Sequence, residues 1–386
     1  MIFHSAQLDK KELSVLERVD ELRKKLGYIH KTPQRWYGQL RRNIFAKAIQ
    51  GSNSIEGYVV TAEDAIAAVQ GGEPSVDQKT DVWQAISGYQ EAMTYVLQKA
   101  EDSFFVYSSE LLKALHYMMM KHDLSKNPGR WRPGTIYVRR DPSGEIVYEG
   151  PDVTLVPNLI DELVTELRAG ESVDNHVIIR AAIAHLNLVM VHPFSDGNGR
   201  MARCLQTLIL ARNGVTAPLF SSIEEYLGRN TEEYYKTLGL VGGGSWHPER
   251  DVRPWIKFCL TAHYRQAETL LRRTRTMERV WNEAEVLAKR LVLPERSIPA
   301  IADATLGLMV TNASYRSMAD VSNVVARNDL RELKKRGILN PHGEKRGRYY
   351  VASEILVEIR KRVSERKSVP DPFEDDATPQ PTLFAT

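Results

Sequence analysis

Residues 192–203 bring together side chains that could act on a phosphate group. They place a histidine, an aspartate, two glycines and two arginines in close succession: His192-Pro193-Phe194-Ser195-Asp196-Gly197-Asn198-Gly199-Arg200, and then Arg203. A histidine can take up a proton near neutral pH, and a lone carboxylate beside phosphates is a typical magnesium ligand. A base, a metal ligand and anion-binding groups are what transfer of a phosphorus-containing group requires.

The predicted elements would hold these groups where two helices meet. Residues 175–190 follow a strongly apolar helical pattern that Pro193 ends, and a second helix is predicted over 198–212. Gly197 and Gly199 permit tight turning at its start. Unpaired backbone N–H groups and the positive end of the helix dipole converge there, so the junction is a candidate anion site.

The two arginines add fixed positive charge to this site. Arg200 and Arg203 are three residues apart, so both can lie on one face of the second helix and bind phosphate oxygens. The alternative is a plain helix–loop–helix corner in which His192 and Asn198 act as caps. For any one of these residues taken alone, the structural corner is the better interpretation. The occurrence of all of them together favours the phosphate site.

A second segment, Ser52-Asn53-Ser54-Ile55-Glu56-Gly57, follows a helix predicted over 35–50 and ending near Gly51. Ser52 and Glu56 are four residues apart and therefore share one helix face. A carboxylate there could pair with an arginine that would otherwise bind a terminal phosphate. The alternative is a helix terminus with a glycine stop at Gly57.

A β-hairpin interrupts the helical pattern. Its predicted strands are Thr135-Ile136-Tyr137-Val138 and Ile146-Val147-Tyr148, which flank the turn sequence Asp141-Pro142-Ser143-Gly144. An exposed hairpin edge can pair with an extended peptide, although most hairpins are simple surface excursions.

The segment 192–200 resembles the Fic-family signature HPFx(D/E)GN(G/K)R at every position, and residues 110–265 around it resemble a Fic domain. Residues 52–57 fit the family's inhibitory pattern (S/T)xxxE(G/N). Fic proteins typically move AMP from ATP onto a hydroxyl of a target protein. The resemblance implies a mainly α fold: a helical core with a β-hairpin flap.

The resemblance also implies a role for each matching residue. His192 would be the base for the target hydroxyl, and Asp196 would bind Mg²⁺. The α- and β-phosphates of ATP would be held by Gly197, Asn198 and Gly199, with Arg200 assisting. Arg203 would bind the γ-phosphate unless Glu56 pairs with it, and the target would dock on Thr135, Ile136, Tyr137 and Val138.

The C-terminal part has its own pattern. Residues 322–336 read as a helix, 337–339 and 349–351 as strands, and 343–348 as a basic turn between them. The order resembles a small α+β winged helix-turn-helix domain, and its basic helix and turn suit DNA phosphates. DNA contact through 322–348 and an intramolecular or homodimer-forming module remain equal alternatives.

Composition narrows the class of protein. The 386 residues carry a net charge of +3 from 52 basic and 49 acidic side chains, which argues against a uniform polyanion binder. Cys204 and Cys259 alone build neither a disulfide scaffold nor a cysteine zinc site. The longest apolar runs are too short for a membrane span, so a cytoplasmic protein without membrane contact is expected.

Charge and pattern together divide the chain. Residues 265–367 carry a net +9, whereas 368–386 hold four acids, no base and four prolines, which predicts a disordered tail. The predicted units are an N-terminal helical region with the inhibitory segment (1–109), a catalytic core (110–265), a winged-helix module (266–367) and the tail (368–386).

The expected function is a self-inhibited protein adenylyltransferase that uses ATP and Mg²⁺. Two alternatives remain open. A hydrolase could remove AMP from a modified protein, with Glu56 orienting water. A DNA-binding transcriptional regulator could use the core only to sense nucleotide.

Overall fold

The computed structural model describes nine stretches of the chain: 1–5, 7–31, 34–74, 78–140, 143–170, 176–213, 222–344, 347–365 and 368–374. This part is mainly helical and contains a two-stranded and a three-stranded sheet. The predicted fold class, a mainly α protein with small β elements, is confirmed.

The N-terminal region is built from helices α1 (Lys10–Lys31), α2 (Tyr37–Ile55), α3 (Ala62–Val69) and α4 (Thr80–Ala100). Thr61 caps α3, because its hydroxyl accepts a hydrogen bond from the Asp64 backbone N–H at 3.0 Å. Gly71 follows the end of α3 with φ +66°, the left-handed conformation that glycine adopts most readily.

Helix α2 continues past the predicted stop near Gly51 and ends at Ile55. Gly51 instead lies against α9 (Glu224–Arg229). A Cβ atom on Gly51 would be 2.5 Å from the Glu224 carbonyl oxygen, and one on Gly228 would be 2.6 Å from the Gly51 Cα. Gly51 therefore allows α2 and α9 to pack closely and does not end the helix. Because α2 continues to Ile55, Ser52 lies in its last turn.

The core surrounds two neighbouring helices, α7 (Val177–Val191) and α8 (Asn198–Arg212), whose side chains are mostly buried. Around them lie α5 (Ser109–Met120), α6 (Val156–Gly170), α10 (Thr231–Gly242) and α11 (Arg253–Arg290). The Trp255 indole N–H on α11 donates to the Ala182 carbonyl on α7 at 2.7 Å. Ser108 caps α5 by accepting from the Leu111 N–H at 3.1 Å.

The predicted hairpin forms from β1 (Tyr137–Arg140) and β2 (Glu145–Glu149), which are antiparallel and pair Val138 with Tyr148. Thr135 and Ile136 precede the observed strand, a correction to the predicted boundary. The Ile136 carbonyl still accepts from the Gly150 N–H at 3.1 Å. The predicted turn residues 141 and 142 lie outside the described residues.

Helix α11 is longer than predicted. The sequence pattern predicts its end at Leu271, but the helix runs on to Arg290 because its buried apolar face continues through Met277, Val280 and Leu287. The predicted boundary between residues 265 and 266 falls inside this helix, so the body and the C-terminal module share one element.

The C-terminal module contains, in order, α12 (Ile298–Leu306), β3 (Val310–Thr311), α13 (Asn312–Ala319), α14 (Asn323–Lys335), β4 (Leu339–His342), β5 (Tyr349–Ala352) and α15 (Glu354–Val363). The strands form an antiparallel sheet in the order β3-β5-β4. Ser322 caps α14 through the Val325 N–H, so the helix predicted over 322–336 is present. Lys345 and Arg346 of the predicted basic turn lie outside the described residues.

The first part of the predicted disordered tail contacts the body. Asp371 pairs with Arg265 on α11 at 3.3 Å, and the Pro372 carbonyl accepts from Arg18 on α1 at 3.2 Å. Phe373 packs against the core beside Lys257. The prediction is therefore wrong for residues 368–374, whose apolar side chains dock, and residues 375–386 lie outside the described residues.

Among the described helices, none has both the length and the apolar character that crossing a bilayer demands.

Candidate functional site

His192 lies at the C-terminal end of α7 with a left-handed backbone, φ 51°. Its Nδ1 is 2.9 Å from the Val189 carbonyl oxygen. A carbonyl can only accept, so Nδ1 carries the hydrogen and Nε2 of the neutral ring keeps a lone pair. Burial lowers the pKa of His192. The ring is therefore neutral at physiological pH and able to take a proton at Nε2.

Asn198 holds the loop that follows His192 in shape. Its Oδ1 accepts from the Phe194 N–H and its Nδ2 donates to the Phe194 carbonyl, both at 2.9 Å. The residue is buried at the first turn of α8. Both polar atoms of the side chain are thus used within the loop, and the predicted contact of Asn198 with phosphate reduces to its backbone N–H.

His116 on α5 supports the same loop, a role for which its own segment carries no signal. Its ring stacks on Phe194 with centroids 3.8 Å apart. One ring nitrogen accepts from the Gly129 N–H at 2.9 Å, and the other lies 3.0 Å from the Asp196 carbonyl, to which it must donate. Burial lowers the pKa of His116 to about 4, which keeps it in this neutral, bridging form.

Arg132 ties the loop to the base of the hairpin. Its Nε donates to the His192 carbonyl at 3.0 Å, and its backbone N–H donates to the Pro193 carbonyl at 2.8 Å. The remaining guanidinium nitrogens donate to the carbonyls of Gly134 and Pro151, which flank the hairpin. This buried arginine therefore fixes the hairpin and His192 relative to each other.

Asp196 presents its carboxylate beside the start of α8. Its Oδ1 accepts from the Gly197 N–H at 2.6 Å, and its Oδ2 lies 3.8 Å from the Lys126 ammonium. The side chain is 37% exposed. The backbone thus orients Oδ1. Oδ2 lies too far from the Lys126 ammonium for a hydrogen bond, so another cation could take the place of the lysine.

Arg200 is almost fully buried near the start of α8. Its Nη2 contacts the Met120 sulfur at 2.9 Å, and the ring of Tyr58 lies 5.5 Å from its guanidinium carbon. Its Nε and Nη1 have no hydrogen-bond partner within the described residues. Buried donors without partners are costly, and a bound anion would supply acceptors at this point.

Arg203 joins the two motifs that the sequence analysis identified separately. Its Nε donates to the Ser52 hydroxyl at 2.7 Å, and its Nη2 donates to the Ser52 carbonyl at 3.0 Å and to Glu56 Oε1 at 2.6 Å. Its Nη1 has no hydrogen-bond partner in the described part of the chain. The arginine is buried, so this ion pair is shielded from bulk water.

The Glu56 carboxylate occupies the start of α8. A Cβ atom on Gly199 would lie 2.5 Å from Glu56 Oε1, so a side chain larger than glycine would displace it. Burial opposes ionisation, but Arg203 and Arg200 outweigh it and hold the pKa of Glu56 below its usual value. Gly57 follows with φ +83° and turns the chain away. An ionised carboxylate thus fills the predicted anion site.

The hairpin presents one edge beside the loop. The Tyr148 hydroxyl on β2 donates to the Met190 carbonyl at 2.9 Å, which anchors the hairpin to the end of α7. The end of β2 also bonds to Gly244, whereas β1 has β2 as its one strand partner within the described residues. Tyr137 on β1 is 45% exposed, so the β1 edge is available to an extended chain.

Residues 106–210 match the family model described as the Fic/DOC family. This segment of the chain is therefore similar to the Fic/DOC family. It is 27% identical over 252 residues to the protein adenylyltransferase Fic of Drosophila mojavensis, a match that covers 65% of this chain and 45% of that protein. Identity to the protein of the same name from Drosophila melanogaster is 29% over 248 residues, with 63% and 45% covered.

The chain spans about half the length of the curated relatives that it matches. Among solved structures, a Fic family protein from Desulfovibrio desulfuricans G20 aligns with a TM-score of 0.57 at 21% identity. That alignment covers 90% of this chain and 98% of the other, which shows that the fold is shared.

Proposed function

We propose that this Fic protein is a self-inhibited protein adenylyltransferase, which moves AMP from ATP to a hydroxyl side chain of a target protein. The observation that carries the proposal is the Glu56 carboxylate, paired with Arg203 at 2.6 Å and lying directly over Gly199. A negative group is held where the Fic motif is expected to bind the phosphates of ATP. The name shared by the curated relatives supports the same chemistry.

The chain's own groups suit one balanced transfer step. The target hydroxyl oxygen attacks the α-phosphorus, the new P–O bond forms, the bond from the α-phosphorus to the bridging oxygen breaks, and pyrophosphate leaves. The hydroxyl proton goes to Nε2 of His192, whose Nδ1 is committed to the Val189 carbonyl. Arg132 supports this step by holding the histidine backbone against the hairpin.

The site also suits a nucleotide with Mg²⁺. The unpartnered nitrogens of Arg200 in the described structure and the start of α8 would hold phosphate oxygens. Asp196, partly exposed and oriented by the Gly197 N–H, would be the protein ligand to Mg²⁺. When bound, Mg²⁺ neutralises phosphate charge, and it needs only one or two carboxylates in addition to the phosphates.

Inhibition would arise from competition for one guanidinium. The Glu56 carboxylate takes Arg203 Nη2 and lies over Gly199, so a γ-phosphate would have to displace it to bind this guanidinium in the same geometry. A hydrogen bond to a charged group is worth about 1.5–3 kcal/mol. Loss of Glu56 is therefore expected to raise productive ATP binding by about tenfold to a hundredfold.

The C-terminal module is proposed to be a winged helix-turn-helix domain appended to the Fic core. The support is the order of α12, β3, α13, α14, β4 and β5 and the three-stranded antiparallel sheet that closes it. The chain is accordingly proposed to consist of four units, with boundaries after residues 109, 265 and 367. Helix α11 spans the second boundary and is shared between the core and the module.

The experiment compares AMP incorporation in the full chain and in its Glu56→Gly variant. Each protein is incubated with Mg²⁺ and ATP labelled on the α-phosphate, and intact mass and label transfer are measured, including self-modification. Glu56→Gly is expected to gain AMP faster, by about tenfold to a hundredfold. Glu56→Gln, which keeps the shape but loses the charge, is expected to lie between the two.

His192→Ala in the Glu56→Gly background is the matched inactive control. It should lose about 100- to 10,000-fold in transfer while nucleotide affinity stays close to that of the parent, because the phosphate contacts are retained. No gain of AMP in Glu56→Gly on itself or on lysate proteins would contradict self-inhibition. If Glu56→Gly instead destroyed an AMP-removing activity, the hydrolase alternative would replace the proposal.

A further inference from the structure

Helix α2 makes side-chain hydrogen bonds to distant elements near both of its ends. Toward its N-terminal end, Gln39 and Arg42 bond to Asp303 on α12 of the C-terminal module. In its last turn, the Ser52 hydroxyl accepts from Arg203 in the candidate functional site. The same helix therefore connects the C-terminal module to the site.

The connection to the module is buried and charge-assisted. Arg42 Nη2 donates to Oδ2 of Asp303 at 2.6 Å, and the Gln39 amide donates to Oδ1. The same amide donates to the Pro299 carbonyl at 2.8 Å. Gln39 and Asp303 are both buried, and removing one partner of a buried ion pair leaves a charge without compensation. These three side chains, Gln39, Arg42 and Asp303, are here called the α2–α12 contact.

Helix α12 is firmly packed inside the C-terminal module. It lies against α11, α13, α15 and β5, and its side chains Ile301 and Ala304 are fully buried. The carboxylate of Asp303 therefore has a position that the packing of the module determines. Any shift of α12 would be felt by α2 through this carboxylate.

Helix α2 is suited to carry such a shift to its other end. Its 19 residues contain no proline, and Ser52 lies about 15 Å beyond Arg42 along the helix axis. Apolar burial favours contact without a preferred direction, whereas hydrogen bonds to a carboxylate fix both distance and direction. The α2–α12 contact therefore helps to set the rotation and axial position of α2, and with them the place where Glu56 meets Arg203.

We propose that Gln39, Arg42 and Asp303 are positioning residues for Glu56: the α2–α12 contact holds the Glu56 carboxylate on Arg203, and loss of this contact releases it. The effect on AMP transfer rests on the proposed self-inhibition. The coupling between the two ends of α2 does not, and it can be measured without any activity. The three side chains act through α2, from a position outside the His192–Arg203 segment.

The test is hydrogen–deuterium exchange, followed by mass spectrometry, of peptides that cover residues 50–58 in the full chain. Asp303→Asn removes the charge of the contact with little change in shape. Arg42→Ala breaks the contact from the α2 side and leaves α12 intact. Each variant should raise the exchange rate of this segment by about threefold to tenfold, the range expected for energetically coupled groups.

The matched control is Asp329→Asn, which removes the same charge from another buried acid of the module. Asp329 bonds to Arg296 and Tyr315, neither of which lies on α2. This variant should leave the exchange of residues 50–58 as it is in the parent. An equal rise in the control would show general loosening and overturn the proposal. Unchanged exchange in both Asp303→Asn and Arg42→Ala would overturn it as well.

Label transfer from ATP gives a second readout that a merely structural role would not move. Asp303→Asn and Arg42→Ala should each gain AMP about threefold to tenfold faster than the parent. The gain should vanish in the Glu56→Gly background, because no carboxylate remains to be released. A gain that persists there would contradict action through Glu56. If Glu56→Gly alone gains no AMP, self-inhibition fails, while the exchange measurement still decides the coupling.

Discussion

Two adjacent carboxylates on α9 show how strongly surroundings decide the behaviour of a residue. Burial raises the pKa of Glu224 to about 7. The Tyr89 hydroxyl bonds to its Oε1 at 2.5 Å, while its Oε2 has no hydrogen-bond partner within the described residues. Burial also opposes ionisation of Glu225, but Arg273 and Arg229 outweigh it and lower its pKa to about 2.

The raised pKa of Glu224 predicts a loss of stability with rising pH. Its folded value, about 7, exceeds the ordinary 4.5, so the folded state holds this proton more tightly than the unfolded state. The contribution is complete below about pH 4.5 and is lost as pH rises through 7. Glu224→Gln should abolish this loss. The free energy of unfolding of the variant minus that of the parent should therefore be larger at pH 8 than at pH 5, by on the order of 1–3 kcal/mol.

Urea unfolding of both proteins at pH 5 and pH 8 measures this difference. Glu225→Gln is the matched control, because it removes an ionised, paired carboxylate and should destabilise the protein at both values. An identical difference between Glu224→Gln and the parent at pH 5 and pH 8 would mean that Glu224 is already ionised in the fold.

At the scale of elements, the position of the Glu56 carboxylate depends on how α2 packs against α9. The two helices touch backbone to backbone at Gly51 and Gly228, and this contact lies one residue before Ser52, which binds Arg203. The position of Glu56 is therefore set by a helix contact made elsewhere along α2.

Gly51→Ala is expected to push α2 away from α9, because its new methyl group would meet the Glu224 carbonyl at 2.5 Å. The overpacking should cost about 1–3 kcal/mol, more than the roughly 1 kcal/mol gained in helix propensity. The displaced helix end should weaken the Glu56–Arg203 pair and raise self-modification several-fold, as measured by label transfer alongside thermal unfolding.

Gly38→Ala is the matched control on the same helix, since a Cβ atom there has nothing within 4 Å. It should stabilise the protein by up to about 1 kcal/mol and leave label transfer unchanged. Equal stability of Gly51→Ala and Gly38→Ala would argue against a tight α2–α9 contact.

Local features of the site are predictable because they depend on neighbouring residues. Pro193, Gly197 and the apolar run before them predict a helix, a turn and a second helix, and these form where expected. The helix end predicted near Gly51 is wrong. A glycine within a helical pattern can either end its own helix or allow a second helix to pack closely against it, and the local sequence does not distinguish the two. The partner that decides this, α9, lies far along the chain and leaves no local signal.

The supporting contacts are not predictable for the same reason. His116 and Arg132 are ordinary residues in their own segments, and they acquire roles only because folding brings them to the carbonyls of Asp196 and His192. Glu56 and Arg203 are 147 positions apart in the chain, so local spacing cannot predict that they meet. The family resemblance of their two motifs does predict it.

At the scale of the whole molecule, residues 368–374 fasten the C-terminal end to the body. Pro372 is buried, Asp371 pairs with Arg265, and Val369 and Phe373 pack against the core. The segment therefore buries apolar surface that a free tail would leave in water, and this burial stabilises the fold.

Truncation should separate this segment from the rest of the tail. A chain ending at residue 367 is expected to unfold several degrees below a chain ending at residue 374, because the loss of the docked segment costs about 1–2 kcal/mol. Differential scanning calorimetry of both truncations and the full chain measures the shift. Identical melting temperatures for the two truncations would show that the docked segment adds no stability.

The 38-residue helix α11 also determines what a change in chain length would do. It begins among the helices of the body and ends beside α12, so no flexible joint separates the two regions within it. Each inserted residue would advance the far end by about 1.5 Å and rotate it by about 100°. A single insertion near its middle would therefore turn the C-terminal module through slightly more than a quarter of a revolution, whereas an insertion of about eighteen residues, roughly five full turns, would restore its phase.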